Sequence, residues 1–443
     1  MAETTPEAPP HPARVLLPLL VPAVVVGVAS ALALAVLSEL ASHLETLLWD
    51  TIPDGLGVSS DSGPWIILVL TVTGLVVGLC IWLIPGHGGP DPATEALIGA
   101  PLPLLVLPGL ALLAVLGLGG GVSLGPENPI VAINVGLTFA IGSRLLPRIP
   151  AQLWVALGVA ATVGALFATP VAAALLLTEM MGGTEEQPLW SKLFAPLAAA
   201  GVGAVTMIAL DQPSFAVDLP PYRSPEAIDL LTGSLIAIAA ILLTLGAIYL
   251  FRLAHRLFHG ISNPVIMLTV GGLVLGLLGA IGGTLTLFKG LDQVQQLAAT
   301  VDDYSSQRLL VFTLIKLVAL VVAATAGFRG GRIFPSVFVG SAFGLFVNSV
   351  WDGVPAALAV GAGVLGVVLA VSKDGWMALF VAAVFAGSVT LLPVLVFVML
   401  PAWLLVAGAP PMQILPSTGA PPPEPEPVPE PAPSPAPAPS SPA

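Results

Sequence analysis

One carboxylate stands out in a chain that has little room for charge. Glu127 lies in the stretch Gly119 to Gly136, GGGVSLGPENPIVAINVG, flanked by Pro126, Asn128 and Pro129 and followed by a helix-capable apolar run from Ile130 to Ile141. A helix entered through Gly, Pro and Asn presents free N–H groups and the positive end of its dipole at the entrance. Such an entrance attracts anions. A carboxylate placed there in apolar surroundings is costly, and that cost marks it as a functional candidate. The chemistry it suits is competition: the carboxylate and a passing anion would seek the same N–H groups, so Glu127 reads as a gate. The plainer reading is a first-turn acid that steadies the helix dipole.

Two more breaks share this composition. They are GHGGP at Gly86 to Pro90 and GGRIFP at Gly330 to Pro335. Glycine lets the backbone approach an ion closely, and proline suits a first helical turn, where its missing N–H would be unpaired anyway. Each break is therefore expected to open a helix, with the three entrances facing one point. His87, Gly88, Gly89, Gly125, Asn128, Ile333 and Phe334 are the candidates for holding an anion. Backbone N–H groups bind it without a full positive charge, and conduction requires binding that can be undone. Arg329 and Arg332 beside the third break would add positive potential or pair with a carboxylate.

These breaks interrupt a chain built for lipid. Of 443 residues, 56% are hydrophobic and 9% charged, and mean hydropathy is +1.00. Soluble domains carry about 25% charged residues. The apolar runs are continuous rather than alternating, which indicates membrane-spanning helices and not a β-barrel. The expected helical segments are Val15–Leu48, Trp65–Ile84, Leu102–Leu118, Ile130–Ile141, Leu153–Met181, Trp190–Leu210, Ala227–Leu250, Val265–Phe288, Leu309–Ala326, Ala342–Val350, Ala356–Val371, Met377–Ala386 and Val389–Ala407. Trp49 to Gly63 reads as a polar loop. The first run reads as a retained helix rather than a cleaved signal, because no cluster of positive charge precedes it. Cys80 is the single cysteine, so no intramolecular disulfide can form. Although the net charge is −12, several acids lie in tails and loops, and no basic patch suggests nucleic acid. No cofactor or metal motif and no nucleophile–base pair appears in the spans, which argues against an enzyme.

Interrupted segments recur in both halves, so we expect an all-α inverted repeat with its site near mid-membrane. The expected divisions are a polar tail over 1–13, repeats over 14–225 and 226–415, and a Pro-rich tail over 416–443 that reads as extended low-complexity chain. Charge placement around the first span favours cytoplasmic termini. Alanine, glycine, proline and valine are plentiful and lysines number four, a composition that hints at a GC-rich bacterial genome, so the membrane is expected to be a bacterial plasma membrane.

From Val15 to Leu415 the chain resembles the CLC family of chloride channels and chloride/proton antiporters. That family's filter motifs are GSGIP, G(K/R)EGP and GxFxP. Here they correspond to Gly86-His87-Gly88-Gly89-Pro90, Gly125-Pro126-Glu127-Asn128-Pro129 and Gly331-Arg332-Ile333-Phe334-Pro335. Phe167-Ala168-Thr169-Pro170 running into Thr178-Glu179-Met180 is similar to the family's FNAP…EE segment. The resemblance implies chloride or a similar small anion as cargo, a homodimer with one pore per subunit, and Glu127 as the gate. The departures are specific. His87 takes the central serine position, Pro126 replaces a basic residue, Asn128 a glycine, and Ile333 a phenylalanine. Met180 stands where the inner proton-transfer glutamate is expected, beside Glu179. No tyrosine matches the family's inner tyrosine; Met412 falls nearest. Glu179, Met180, Met412 and Arg332 are thus the candidates for an inner vestibule. Passive or gated anion transport is the first reading. The alternatives are proton-coupled exchange of chloride or fluoride, and a transport-inactive membrane protein.

Overall fold

In the computed structural model, which describes residues 12–181, 188–210 and 215–415, the apolar runs form fifteen helices longer than five residues. In chain order these are α1 (Leu20–Thr46), α2 (Gly63–Leu83), α3 (Leu107–Gly119), α4 (Glu127–Leu145), α5 (Ala151–Leu166), α6 (Pro170–Met181), α7 (Leu189–Leu210), α8 (Ala227–His259), α9 (Pro264–Gly282), α10 (Leu291–Ala299), α11 (Ser306–Thr325), α12 (Ile333–Val350), α13 (Ala356–Ser372), α14 (Gly375–Phe385) and α15 (Leu392–Ala407). Among the described residues, the one β interaction is an isolated antiparallel bridge between Gly125 and Gly331. Eight helical stretches are long and apolar enough to cross a membrane, and the chain is an integral membrane protein. The two tails beyond residues 12 and 415 lie outside the described residues.

Burial sorts the helices. Residues 357–371 of α13 are all buried, and most of α12 is too. Around this centre, α1, α2, α8 and α15 turn faces such as Val21, Val25, Leu32, Leu231, Leu242 and Leu404 outward. Exposed apolar faces on that scale fit lipid contact rather than water.

Close helix contact comes from small residues, because lipid tails give two helices no hydrophobic drive to associate. At the α2–α9 crossing, a Cβ on Gly74 would overlap the Leu268 carbonyl, and one on Gly272 would overlap that of Leu70. Polar side chains in the spans satisfy themselves locally. Thr71, Thr162, Thr244 and Thr313 each donate to the carbonyl four residues back, at 2.6–2.9 Å. Asn134 on α4 donates to Thr162 Oγ1 (3.0 Å) and to the Ser30 carbonyl (3.3 Å), tying α4 to α5 and α1.

The two halves repeat each other. Gly125 matches Gly331, Pro129 matches Pro335, and the positive-φ Gly121 matches Gly327; each pair is 206 positions apart (331 less 125). Each half thus delivers a glycine turn and a proline-started helix to the same place from opposite directions, the arrangement expected of an inverted repeat.

Two local expectations change. Trp49 to Gly63 is not one polar loop: helical backbone continues through Leu56, with Trp49 buried and donating to the Gly119 carbonyl at 3.1 Å. And the first glycine break opens no helix. Pro85–Gly88 forms a 3-10 turn with left-handed Gly86 and His87, and the next helix waits until Leu107. The reason is proline spacing. Pro90 and Pro92 push the residues before them away from helical backbone, and Pro101 and Pro103 do the same further on.

One buried cation belongs to the scaffold. Lys316 on α11 is 0% exposed, and its ammonium donates to the carbonyls of Thr286 (3.2 Å), Leu287 (2.6 Å) and Phe288 (2.7 Å). Three donors meet three acceptors, which matches the full capacity of an ammonium group. The turn it gathers also receives the Gly121 carbonyl, through the Phe288 N–H at 3.1 Å. It therefore fixes the chain that leads into Glu127.

Candidate functional site

The site starts from two unmet helix ends. A helix leaves its first N–H groups without intrahelical partners, and here α4 and α12 begin side by side because Gly125 and Gly331 pair just ahead of them. The Gly125 N–H donates to Gly331 O (2.9 Å), and the Gly331 N–H returns to Gly125 O (2.7 Å). Glu127, on the first turn of α4, sends its carboxylate across to the other helix. Its Oε1 accepts from the N–H of Ile333 (2.6 Å) and of Phe334 (3.2 Å). The residue is 1% exposed, and Oε2 has no hydrogen-bond partner. Only glycine leaves room for this: a Cβ on Gly125 would overlap Oε2, and one on Gly331 the carboxyl carbon. A buried oxygen without a partner costs about 1–3 kcal/mol, more when charged.

A cavity of about 300 Å³ reaches these helix ends. Asn128, Arg332, Ile333, Asp374, Met377 and Met412 are among its walls. Arg332 donates to the carbonyls of Met412 and Glu95 (2.8 Å to the latter). Its direct partners among the described residues are thus carbonyls rather than carboxylates, and its charge lies along the cavity wall. Met412 is buried, and the residues after it pin a neighbouring loop. Gln413 Nε2 donates to Thr94 O (2.6 Å), and the Ile414 N–H donates to Ala93 O (2.8 Å).

The first break takes another part. His87 is exposed, and its Nδ1 lies 2.8 Å from the Ile81 carbonyl, which assigns the proton to Nδ1. The N–H groups of His87 and Gly89 bond to Ile84 and Gly86 inside the turn. What this segment turns toward the third break is its carbonyls. Arg329 donates to Gly88 O (3.1 Å), His87 O (3.0 Å) and Gly89 O (2.8 Å). The expectation of three helix ends facing one anion becomes two helix ends, with the first glycine run bound to them through Arg329.

Glu179 is exposed on α6 and lies against Asp374, the N-cap of α14, whose Oδ1 accepts from the Met377 N–H at 2.7 Å. Burial first, and then the neighbouring Glu179, pushes the Asp374 carboxyl up to about 7. Burial likewise pushes Glu95 up, with Arg329 opposing the shift. Met180 falls on the last turn of α6, and its side chain lies outside the described residues. Asp374 and Glu95 were not singled out in the sequence. The signal for Asp374 was the polar turn SKDG between two apolar runs. Glu95, inside PDPATEAL, gave none beyond its charge.

Residues 73–406 match the family described as voltage gated chloride channel. The chain is 50% identical, over 413 residues, to YfeO of Escherichia coli O9:H4 (strain HS), a protein named for ion transport. The match covers 93% of this chain and 99% of that protein, and a counterpart from Escherichia fergusonii matches equally. Among solved structures, a CLC-type fluoride/proton antiporter superposes with a TM-score of 0.72 at 20% identity, covering 90% of this chain and 97% of that one. A slow cyanobacterial chloride/proton antiporter gives 0.76 at 16% identity, covering 89% and 96%.

Proposed function

Because this chain belongs to the voltage gated chloride channel family, whose members move ions, we propose that it carries chloride or a similarly small anion through the membrane, with Glu127 as the gate. The observation that supports this most is the half-bonded carboxylate. Glu127 Oε1 occupies the N–H groups at the start of α12, while Oε2 has no partner and the 300 Å³ cavity lies alongside. Here the carboxylate holds the place of an anion. When it is protonated or displaced, the Ile333 and Phe334 N–H groups become available to the cargo. Arg332 and the Asn128 amide would attract the anion along the cavity, and backbone donors without full charge would release it.

Replacing Glu127 with glutamine is the direct test. In proteoliposomes, Glu127→Gln is expected to raise anion flux several-fold at neutral pH. It should also flatten the wild-type rise in flux as pH falls, since glutamine has no charge to neutralise. An unaltered rate and pH profile would sink the gate.

A second reading, proton-coupled exchange, draws on the Asp374–Glu179 pair. Asp374 lines the cavity with Glu179 beside it, and a carboxyl pair can pass a proton, which Met180, having no titratable group, cannot. Uphill proton movement driven by an anion gradient would identify exchange; its absence with flux intact leaves a passive pathway. No anion flux from folded protein would identify a transport-inactive member. We further propose a homodimer with one pathway per subunit, repeats dividing near residue 225, and both termini in the cytoplasm of a bacterial cell.

A further inference from the structure

Apart from the gate, one cluster joins three metal-ligating side chains from two distant parts of the chain. His255 and His259 lie one turn apart at the end of α8, and Asp91 follows the first glycine break. Both imidazole Nε2 atoms approach the same carboxylate oxygen, Asp91 Oδ2, at 2.9 Å from His255 and 3.2 Å from His259. The rings stack at 3.8 Å with 22° between planes. The outer contacts are set as well. Asp91 Oδ1 accepts from the Ala93 N–H at 3.0 Å, which aims Oδ2 at the histidines. His259 Nδ1 donates to the His255 carbonyl at 3.1 Å.

That last bond narrows the chemistry to a proton or a metal ion at His259 Nε2. With the proton on Nδ1, a neutral His259 turns the lone pair of Nε2 toward the lone pairs of Asp91 Oδ2. Two acceptors 3.2 Å apart repel unless a positive centre lies between or beside them. A proton on His259 alone would meet the same need, since an imidazolium donates from both ring nitrogens; charging both stacked rings would set like charges face to face. One divalent cation satisfies all three groups at once. Metal–nitrogen and metal–oxygen bonds of about 2.0–2.2 Å place tetrahedral donors roughly 3.3 Å apart, close to the separations found here. Two imidazoles with one carboxylate select a zinc-class ion over calcium or magnesium. With side chains 14–36% exposed, water can complete the set.

We infer that His255, His259 and Asp91 form a zinc-class cation site that clamps the end of α8 to the loop walling the cavity. The loop is the one whose Ala93, Thr94 and Glu95 carbonyls hold Ile414, Gln413 and Arg332. Bound metal would therefore stiffen the cavity wall, a consequence that rests on the anion pathway proposed above, whereas the site itself does not.

Full-length protein in detergent, stripped with EDTA, is titrated with Zn²⁺ by calorimetry and with Co²⁺ by visible absorption. The expected result is one ion per chain, a tetrahedral Co²⁺ spectrum, and at least tenfold weaker binding in His259→Ala and in Asp91→Asn. Should the histidine variant not remain monodisperse, the near-isosteric Asp91→Asn decides. No stoichiometric binding, or equal binding in Asp91→Asn, overturns the site. In proteoliposomes, Zn²⁺ is expected to slow wild-type anion flux and to leave Asp91→Asn unaffected. Full binding with unchanged flux overturns the clamp, and binding without any flux at all counts against the transport reading instead.

Discussion

Two charges lie at almost the same depth in this protein, and the backbone treats them differently. Lys316 is 0% exposed and gives all three of its donors to carbonyls; Glu127 is 1% exposed, with one oxygen bonded to two N–H groups and the other to nothing. Removing a charge from water is expensive in either case. At Lys316 every donor is satisfied in place, so the side chain has nowhere better to go. At Glu127 one oxygen has two donors and the other has none, so the bonding is incomplete, as the proposed gate requires. Burial is the same for both charges; the completeness of their hydrogen bonding is what differs.

Stability offers the strongest way to break this contrast. Lys316→Met leaves three buried carbonyls without a donor and is expected to destabilise by about 3–5 kcal/mol. That should be seen as a large fall in thermal midpoint in detergent. Glu127→Gln keeps the Oε1 acceptor and should shift stability by about 1 kcal/mol or less. Equal losses in the two variants would erase the distinction.

Next in size is an effect on flux without touching the carboxylate. Gly331→Ala puts a methyl group where the Glu127 carboxyl carbon sits. It should expel the side chain and raise neutral-pH flux several-fold, the same effect expected of Glu127→Gln. A Gly331→Ala protein that folds and keeps wild-type gating would show that the carboxylate does not rest there.

Asp374 is an intermediate case, bonded to the Met377 N–H yet facing another acid. Its carboxyl titrates near 7 in the fold and near ~4 in an unfolded chain. Between those values the folded protein retains a proton that the unfolded chain has released. Stability from this group is therefore complete below about pH 4 and is lost as pH rises through about 7. A thermal midpoint measured against pH should decline over that window in wild type and much less in Asp374→Asn. The smallest effect belongs to His87. Its ring contacts one carbonyl at the surface, so His87→Gln should change flux and stability little, by about 0.5–1 kcal/mol for the bond. A large change in anion preference would return that residue to the pathway.

Much of this was legible beforehand. Continuous apolar runs with 9% charge require membrane helices, and a carboxylate between glycine and proline at a helix start is conspicuous because lipid tolerates few acids. The helix starts at Glu127 and Ile333 follow from local rules for proline and glycine. What stayed hidden depends on partners far along the chain. Lys316 is visible as a charge inside LLVFTLIKLVAL, but its three carbonyls come from a turn some thirty residues earlier. Arg329 could be placed near an anion; that it holds the carbonyls of His87, Gly88 and Gly89 is set by tertiary packing. The first break misled because its glycines match the others, while the prolines after it forbid the helix.

The Gly125–Gly331 pairing has a consequence for how the protein is made. Neither half carries the complete proposed gate: the carboxylate comes from one, the N–H groups that hold it from the other, and 206 residues of synthesis separate them. A ribosome-bound chain with only its first half inserted has an acid without its donors and no second helix end to complete an ion path. Contacts so far apart in sequence also form late, since closing long loops costs entropy first. On the transport reading proposed above, the pathway is therefore complete only after the second half is in place.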